Sequence, residues 1–206
     1  AEREILASNT DKDLSVYIGI PFCPTRCLYC SFTSYPIDRY AKKADEYIEY
    51  LARELDFVKE SIKERNLRSV YIGGGTPTSL SDEQFKRLME IVSEKFDISQ
   101  TDEFTVEAGR PDTITYGKLK AMEEANVSRI SVNPQTMNQK TLDLIGRRHS
   151  VEDIRKAFYM ARENGFGNIN MDLILGLPEE TLADVENTMK EVEKLSPESV
   201  TVHTLA

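Results

Sequence analysis

Three cysteines, which are all the cysteines of this 206-residue chain, fall within eight consecutive residues. Cys23, Cys27 and Cys30 have the spacing CxxxCxxC and follow the short run Ile20-Pro21-Phe22. Three thiolates on one loop can hold three irons of a 4Fe–4S cluster and leave the fourth iron without a protein ligand. An open iron can bind a substrate or cofactor, so the spacing predicts a cluster that takes part in catalysis rather than one that only transfers electrons.

Three other interpretations of the cysteines are weaker. A disulfide framework is disfavoured because the count is odd and no cysteine lies elsewhere in the chain. A structural zinc site needs four ligands, and the only histidines, His149 and His203, lie more than a hundred residues beyond the cysteines. Three buried structural cysteines would suit an apolar segment, whereas this loop also contains Pro21, Pro24 and Arg26.

The composition is that of an ordinary soluble protein, with 40% apolar and 30% charged residues. The net charge of −9 argues against a nucleic-acid partner, because phosphate binding needs clustered lysine and arginine. No apolar run reaches the length of a membrane helix and no signal peptide opens the chain, so we expect no membrane contact. Free cysteines with metal-like spacing fit a reducing cytoplasm. The chain begins at Ala1 and stops at Ala206 after a strand-like stretch, so we expect residues 1–206 to be a single core domain and a fragment of a longer protein.

Short β-branched runs alternate with longer segments of helical periodicity along the whole chain. Strands are predicted at 16–20, 69–72, 103–107, 128–132, 168–175 and 199–204, and helices at 38–66, 81–96, 115–126, 141–145, 150–165 and 181–196. Ser81 with Gln84 is a capping-box signal for one of these helices. Strands separated by helices pair in parallel through right-handed crossovers, so a doubly wound sheet and a (β/α) barrel both fit. A complete eight-stranded barrel takes about 250 residues, so six strands in this length favour an incomplete barrel.

Polar and small residues fall at the carboxyl ends of the predicted strands, where parallel α/β folds bind their ligands. In chain order these are the cysteine loop, Gly73-Gly74-Gly75 with Thr76, Glu107, Gln135, Asp172 and Ala206. A glycine turn lets the backbone approach a ligand with open amides, and the alternative is a tight turn alone. Glu107 can accept hydrogen bonds from an ammonium group or be a solvated strand end. A buried carboxylate such as Asp172 must be paired or ligand-bound, and Arg147 has the geometry to bind a carboxylate.

These residues resemble the radical S-adenosylmethionine (SAM) enzymes, and within them the oxygen-independent coproporphyrinogen III oxidase family. The motif CxxxCxxC after Tyr-x-x-Ile-Pro-Phe carries the resemblance, together with five further motifs in the same order. These motifs are 72–78 (IGGGTPT), 105–107 (TVE), 129–132 (RISV) with Gln135, 144–149 (LIGRRH) and 171–178 (MDLILGLP). Gly19 and the segment 108–112 (AGRPD) are most similar to the HemZ-type branch of that family.

The resemblance implies a fold, two cofactors and a set of site residues. The fold would be the partial (β/α)6 barrel of that superfamily. Cys23, Cys27 and Cys30 would hold a 4Fe–4S cluster, and the amino and carboxylate groups of SAM would bind its fourth iron. Around SAM the resemblance places Tyr17 beside the cofactor, Gly74, Gly75 and Thr76 at its methionine part, Glu107 and Arg147 nearby, and Gln135, Asp172, Ile174 and Ala206 on the adenosine or substrate side.

The activity implied by the resemblance is oxidative decarboxylation in haem biosynthesis. Reductive cleavage of SAM gives methionine and a 5′-deoxyadenosyl radical, which removes hydrogen from a propionate of coproporphyrinogen III, and that propionate becomes a vinyl group. The implied partners are this tetrapyrrole and an electron donor such as flavodoxin or ferredoxin. Two alternatives stay open: a cluster-containing haem chaperone without oxidase activity, and a radical SAM enzyme that acts on haem. Gly19 stands where decarboxylating members have a histidine.

Overall fold

The computed structural model describes residues 10–32 and 34–205. The strands in this part of the chain are β1 (Asp13–Ile20), β2 (Phe22–Cys23), β3 (Tyr35–Pro36), β4 (Asn66–Gly74), β5 (Glu103–Glu107), β6 (Arg129–Ser131), β7 (Ile169–Leu175) and β8 (Ser199–Thr204). The α-helices are α1 (Ile37–Ser61), α2 (Asp82–Lys95), α3 (Tyr116–Glu124), α4 (Gln139–Leu144), α5 (Val151–Glu163) and α6 (Leu182–Leu195). None of these helices is long and apolar enough to cross a membrane.

The six longer strands form one parallel sheet in the order β1-β4-β5-β6-β7-β8. The order across the sheet follows the order along the chain, so no crossover reverses direction. Right-handed crossovers that all run the same way place the helices on one face of the sheet. A doubly wound sheet would have a reversal and helices on both faces. The fold is therefore the expected partial (β/α)6 barrel, with parallel strands inside and helices outside.

The sheet has one apolar and one polar face, because successive side chains of a strand point to opposite sides. Val70, Phe104 and Ile130 are fully buried on the outer face, beneath the helices. Each buried side chain of this size stabilises the fold by about 1.5–3 kcal/mol. The inner face carries polar residues instead, including Glu107 and Asp172 near the strand ends. Ligand-binding groups therefore collect on the inner face.

The helices begin and pack as their sequences indicate. In α1, Ala44, Ile48, Leu51 and Leu55 are buried at spacings of three or four residues, which places them on one side of the helix. Capping boxes start three other helices, formed by Ser81 with Gln84, Ser150 with Asp153 and Thr181 with Asp184. Reciprocal caps of this kind satisfy backbone N–H groups that would otherwise lack a partner.

The structure differs from the sequence prediction at some element ends. Helix α1 ends at Ser61 instead of residue 66, because the chain turns there and Asn66 already begins β4. Helix α4 begins at Gln139, two residues earlier than predicted, because the Asn138 side chain accepts a hydrogen bond from the Lys140 N–H and caps the helix. Strands β2 and β3 are absent from the prediction, since two-residue strands are too short to show any periodicity.

Candidate functional site

A cavity of about 270 Å³ at the carboxyl end of the strands gathers most of the site residues predicted from the sequence. The cysteines reach it from the loop after β1, and the glycine turn reaches it from the end of β4. Its lining includes Cys23, Cys27, Cys30, Gly74, Gly75, Thr76, Glu107, Gln135, Arg147, Asp172 and Ile174. Tyr17 does not line the cavity, and Ala206 lies outside the described residues.

The cysteine loop (residues 21–32) is held by hydrogen bonds to other strand-end segments. The Thr76 hydroxyl, next to the glycine turn, lies 3.5 Å from Cys23 Sγ. On the other side of the loop, the Leu28 N–H donates to the Ile145 carbonyl oxygen at 3.1 Å. These bonds tie the cysteines to segments that follow β4 and α4, although those segments are far away along the chain.

The glycine turn has a shape that no side chain would allow. A Cβ at Gly75 would lie 2.6 Å from the Phe22 carbonyl oxygen and 2.9 Å from Cys23 Sγ. Gly74 has a φ of 106°, in the region that favours glycine. The turn therefore serves close contact with the cysteine loop in addition to changing the direction of the chain.

The arrangement of the thiols fits an iron–sulfur cluster. All three cysteines line the cavity, and burial raises the pKa of the Cys23 thiol, against the hydrogen bond with Thr76. Among the described residues, no three His, Cys, Asp or Glu side chains are placed to hold one metal ion. In a 4Fe–4S cluster each thiolate binds a different iron, so thiols that line one space without converging on a point suit a cluster better than a single zinc ion.

Two carboxylates face the cavity from β5 and β7. Tyr71 donates a hydrogen bond to Glu107 Oε1, and the Asn170 amide donates to Asp172 Oδ1 at 2.6 Å. The pKa of Glu107 is raised above its ordinary value. Burial is the largest cause, and the charge of Asp172 acts in the same direction. The hydrogen bonds from Tyr71 and from the Gly74 N–H lower the pKa and only partly offset this rise. Two carboxylates that repel each other in a partly buried space favour a cationic ligand.

Buried polar atoms without partners mark another wall of the cavity. Gln135 Oε1, Asn133 Oδ1 and Arg147 Nε have no hydrogen-bond partner among the described residues. Gln135 also has a φ of 68°, which is uncommon for a residue with a side chain. Its backbone is held there by β7, since the Gln135 N–H donates to the Asp172 carbonyl oxygen at 3.0 Å. Buried polar groups are normally paired, so these atoms are available to a ligand.

Arg147 is buried and joins three loops of the site. Its Nη2 donates to the carbonyl oxygens of Asn133 at 2.6 Å and Gly109 at 3.3 Å, and its Nη1 donates to the Tyr29 hydroxyl at 3.3 Å. A two-pronged bond to a ligand carboxylate would require some of these bonds to be released. The geometry therefore favours a role for Arg147 in positioning the loops around the cavity.

Tyr17 lies outside the cavity lining, and the side chain of Tyr71 lies between it and the lining residue Glu107. Its ring is 64% exposed and stacks on Tyr71, with the ring centroids 5.7 Å apart. Because Tyr71 donates to Glu107, Tyr17 is connected to the site through its neighbour on β4.

The sequence motifs assign no role to Tyr71, Asn133 or Arg110. Asn133 and Arg110 line the cavity, and Tyr71 donates to Glu107 from outside the lining. Tyr71 carries a usable signal, since it lies two residues before Gly73 and therefore on the same face of β4. Arg110 lies in the segment 108–112, whose resemblance to the HemZ-type branch indicates no contact with a cysteine. Its Nη1 lies 3.9 Å from the sulfur of Cys27, which is 83 residues away in the sequence.

Comparison with known proteins identifies the family. The family model described as Radical SAM superfamily matches residues 17–192 of this chain. The chain belongs to the radical SAM superfamily. Membership implies a 4Fe–4S cluster used with SAM, and the three thiols, the glycine turn and the unpartnered polar atoms of the cavity fit those two groups.

Within the radical SAM superfamily, the chain is similar to proteins named for tetrapyrrole chemistry. It is 45% identical over 197 residues to the oxygen-independent coproporphyrinogen-III oxidase-like protein HemZ of Bacillus subtilis, covering 94% of this chain and 39% of that protein. It is 41% identical over 192 residues to the heme chaperone HemW of the same organism, covering 93% and 50%. The structure of coproporphyrinogen III oxidase (HemN) from Escherichia coli, a radical SAM enzyme, superposes with a TM-score of 0.84 at 31% identity, covering 98% of this chain and 46% of that one. The chain thus spans half or less of the length of these relatives.

Proposed function

We propose that the chain is the cofactor-binding core of a radical SAM oxidoreductase that acts on coproporphyrinogen III. One observation carries the proposal: three cysteine thiols, a glycine turn and two carboxylates line the same cavity, although they come from four segments of the chain. Thiolates suit iron, and carboxylates suit an ammonium or sulfonium group. The N–H groups of the glycine turn are paired within the protein, since Gly75 donates to the Ile20 carbonyl oxygen and Thr76 to the Phe22 carbonyl oxygen, both at 2.7 Å, so the turn contributes a close approach of the backbone. The cavity therefore offers partners to the cluster and to the cationic part of SAM.

In this proposal Cys23, Cys27 and Cys30 each bind one iron, and Gly75 keeps the space beside Cys23 clear. When bound, the cluster and SAM supply the hydrogen-abstracting radical through reductive cleavage of the sulfonium. The protein residues bind, orient and shield these groups. Arg147 contributes by tying the cysteine loop, through Tyr29, to the loops that follow β5 and β6.

Glu107 and Asp172 are the proposed partners of the cationic part of SAM. The repulsion between the two carboxylates decreases when a positive charge binds near both of them, on the side of the cavity that faces the cluster. Gln135 and Asn133 offer unpartnered oxygen atoms to the hydroxyl or amino donors of the adenosine part. Pairing a buried acceptor that otherwise lacks a partner recovers about 1–3 kcal/mol. Ile174, which is buried at the same wall, adds an apolar contact.

The tetrapyrrole substrate is supported by the similarity to HemZ, which is named as coproporphyrinogen-III oxidase-like. In the proposed reaction a propionate side chain loses a hydrogen atom to the 5′-deoxyadenosyl radical. It then loses carbon dioxide and passes one electron to an external one-electron acceptor, and so becomes a vinyl group. The electron that cleaves SAM comes from a donor such as flavodoxin or ferredoxin.

The similarity to HemW supports a second candidate, a haem-binding chaperone that keeps the cluster. The identity to HemW, 41%, is close to the 45% identity to HemZ. The two candidates share the cluster site and differ in the outcome of tetrapyrrole binding, which is a decarboxylated product in one case and intact haem in the other.

Anaerobic reconstitution with iron and sulfide tests the cluster. We expect a brown protein with about four irons per chain. Cys27→Ser should lose most of this iron, because the hydroxyl is a much poorer iron ligand than the thiolate. Ser93→Ala, which changes an exposed serine of α2 outside the cavity lining, is the control and should keep the iron. A wild-type chain that stays colourless and binds no iron would contradict the proposal.

Anaerobic incubation of the full-length protein in which this sequence occurs tests the substrate. The mixture contains dithionite and SAM, with either coproporphyrinogen III or haem, and a sample without SAM is the control. A vinyl-containing product together with 5′-deoxyadenosine supports the oxidase. Stoichiometric haem binding without a product supports the chaperone, and conversion of haem to a linear tetrapyrrole supports an enzyme that opens the ring.

A further inference from the structure

Arg110 places a buried positive charge beside one of the proposed cluster ligands. The residue lies in the loop after β5, and only 3% of its surface is exposed. Its Nη1 donates to Thr25 Oγ1 at 3.0 Å and lies 3.9 Å from Cys27 Sγ. In a buried site, a guanidinium at this distance interacts with a thiolate more strongly than it would in water.

Asp112 holds Arg110 in this position, and the buried His149 lies beside Asp112. Two parallel bonds join Arg110 to Asp112, from Nε to Oδ1 at 2.9 Å and from Nη2 to Oδ2 at 2.8 Å. The buried His149 places its Nδ1 3.4 Å from Asp112 Oδ1. Burial alone would raise the pKa of Asp112, but the contacts with His149 and Arg110 outweigh it and hold the pKa well below its usual range. Asp112 is therefore charged, and its two oxygens fix the plane of the guanidinium.

The other buried arginine of the site provides a contrast. Arg147 donates to two carbonyl oxygens and to the Tyr29 hydroxyl, and none of these groups is a proposed iron ligand. Arg110 uses Nε and Nη2 for Asp112 and keeps Nη1 for the cysteine loop. The two arginines therefore have different roles. Arg147 holds backbone segments of the site in place, whereas Arg110 places a positive charge near the sulfur of Cys27.

We infer that Arg110 is a positioning residue for Cys27 and that its charge raises the reduction potential of a cluster bound there, with Asp112 as the brace. The inference rests on the proposed function, because it requires a cluster on Cys27. Reduction adds one electron to the cluster and neither forms nor breaks a bond, so the negative charge near Cys27 increases by one. A fixed cation stabilises the reduced form more than the oxidised form, and charge and hydrogen bonds at the sulfurs are known to shift cluster potentials.

The test is a redox titration of the reconstituted protein with dithionite, followed by electron paramagnetic resonance. Arg110→Gln removes the charge, and we expect an equilibrium constant for reduction that is about tenfold smaller, a fall of about 59 mV for a one-electron couple. Arg148→Gln is the matched control, because Arg148 is exposed in the segment next to His149 and loses the same charge. Arg110→Lys keeps a charge but cannot make the two-pronged bond to Asp112, so we expect a smaller fall in the same direction.

Equal potentials in Arg110→Gln and Arg148→Gln would overturn the inference and leave the proposed function intact. If Arg110→Gln does not fold, the comparison of Arg110→Lys with Arg148→Lys decides. A lower potential in Arg110→Lys supports the inference, and equal potentials overturn it. A wild-type protein that takes up no iron would contradict the proposed function itself, and this inference with it.

Discussion

Tyr71 donates its hydroxyl hydrogen to Glu107 across strands β4 and β5, although Tyr71 itself does not line the cavity. Burial raises the pKa of Glu107, and the bond from Tyr71 acts against that rise. Tyr17 stacks on the ring of Tyr71 and so supports the donor. The charge of a carboxylate in the site therefore depends on an aromatic pair outside it.

Tyr71→Phe is expected to raise the pKa of Glu107 further, because it removes a bond that lowers this pKa. Protonation of Glu107 removes the charge proposed to bind SAM, so the pH at which SAM binding is half lost on acidification should move upward. Near neutral pH the affinity should fall about tenfold, as expected for one hydrogen bond to a charged group. Calorimetric titration of the reconstituted protein with SAM, repeated between about pH 5 and about pH 8, measures both effects.

Tyr50→Phe is the matched control for this change, because Tyr50 lies on α1 with its ring 63% exposed. It should leave both the affinity and its pH profile unchanged. An identical pH profile in Tyr71→Phe and wild type would show that the bond to Glu107 has no part in SAM binding.

Gly75→Ala tests the contact between the glycine turn and the cysteine loop. The new Cβ would lie 2.6 Å from the Phe22 carbonyl oxygen and 2.9 Å from Cys23 Sγ, so the loop must move. We expect a loss of about 1–3 kcal/mol in the free energy of unfolding and a lower iron content after reconstitution. Gly167→Ala is the control, since a Cβ there has no neighbour within 4 Å. Full iron content in both variants would mean that the loop tolerates displacement.

Much of the fold could be predicted because its signals are local. Capping boxes such as Ser81 with Gln84 mark helix starts within four residues of sequence, and the stripe of α1 recurs with the helical period. Ligands gather at the carboxyl ends of parallel strands, and this rule predicts that the cysteines, the glycine turn, Glu107 and Asp172 lie close together. The structure places all of them in the lining of one cavity.

The remaining features depend on contacts between residues that are distant in sequence. Arg110 meets Cys27 across 83 residues, and nothing in either segment alone indicates that pairing. The positive φ of Gln135 is imposed by its backbone bonds to β7, not by its own type. Tyr17 stacks on Tyr71 and does not line the cavity, and its place beside the cofactor stays a prediction. Sequence periodicity predicts which face of a strand a side chain occupies. The distance from that side chain to a ligand site depends on how the strands assemble into the sheet.

Gln135→Asn should separate stability from binding. Asparagine adopts a positive φ more readily than glutamine, so the free energy of unfolding of the apoprotein should rise by up to about 1 kcal/mol. The amide is one methylene shorter, so SAM affinity should fall about tenfold if the Gln135 oxygen contacts SAM. Urea unfolding measures the stability, and calorimetry measures the SAM affinity.

Glu179→Asn is the control, because Glu179 is exposed, has a φ of 62° and lies outside the cavity lining. An unchanged SAM affinity in Gln135→Asn would remove Gln135 from the site.

The stability of the apoprotein should depend on pH through His149. Burial lowers the pKa of His149 below its ordinary value of 6.5, and the contact with Asp112 only partly opposes this. As the pH falls below that ordinary value, the unfolded chain binds a proton that the folded chain does not, so the free energy of unfolding decreases. His149→Asn should lose this decrease between about pH 7.5 and about pH 5.5. Urea unfolding under reducing conditions at both pH values measures the difference in the free energy of unfolding.

His203→Asn is the control, because it changes the exposed histidine and should retain the wild-type pH dependence. A pH dependence in His149→Asn equal to that of wild type would show that the folded protein binds this proton as readily as the unfolded chain does.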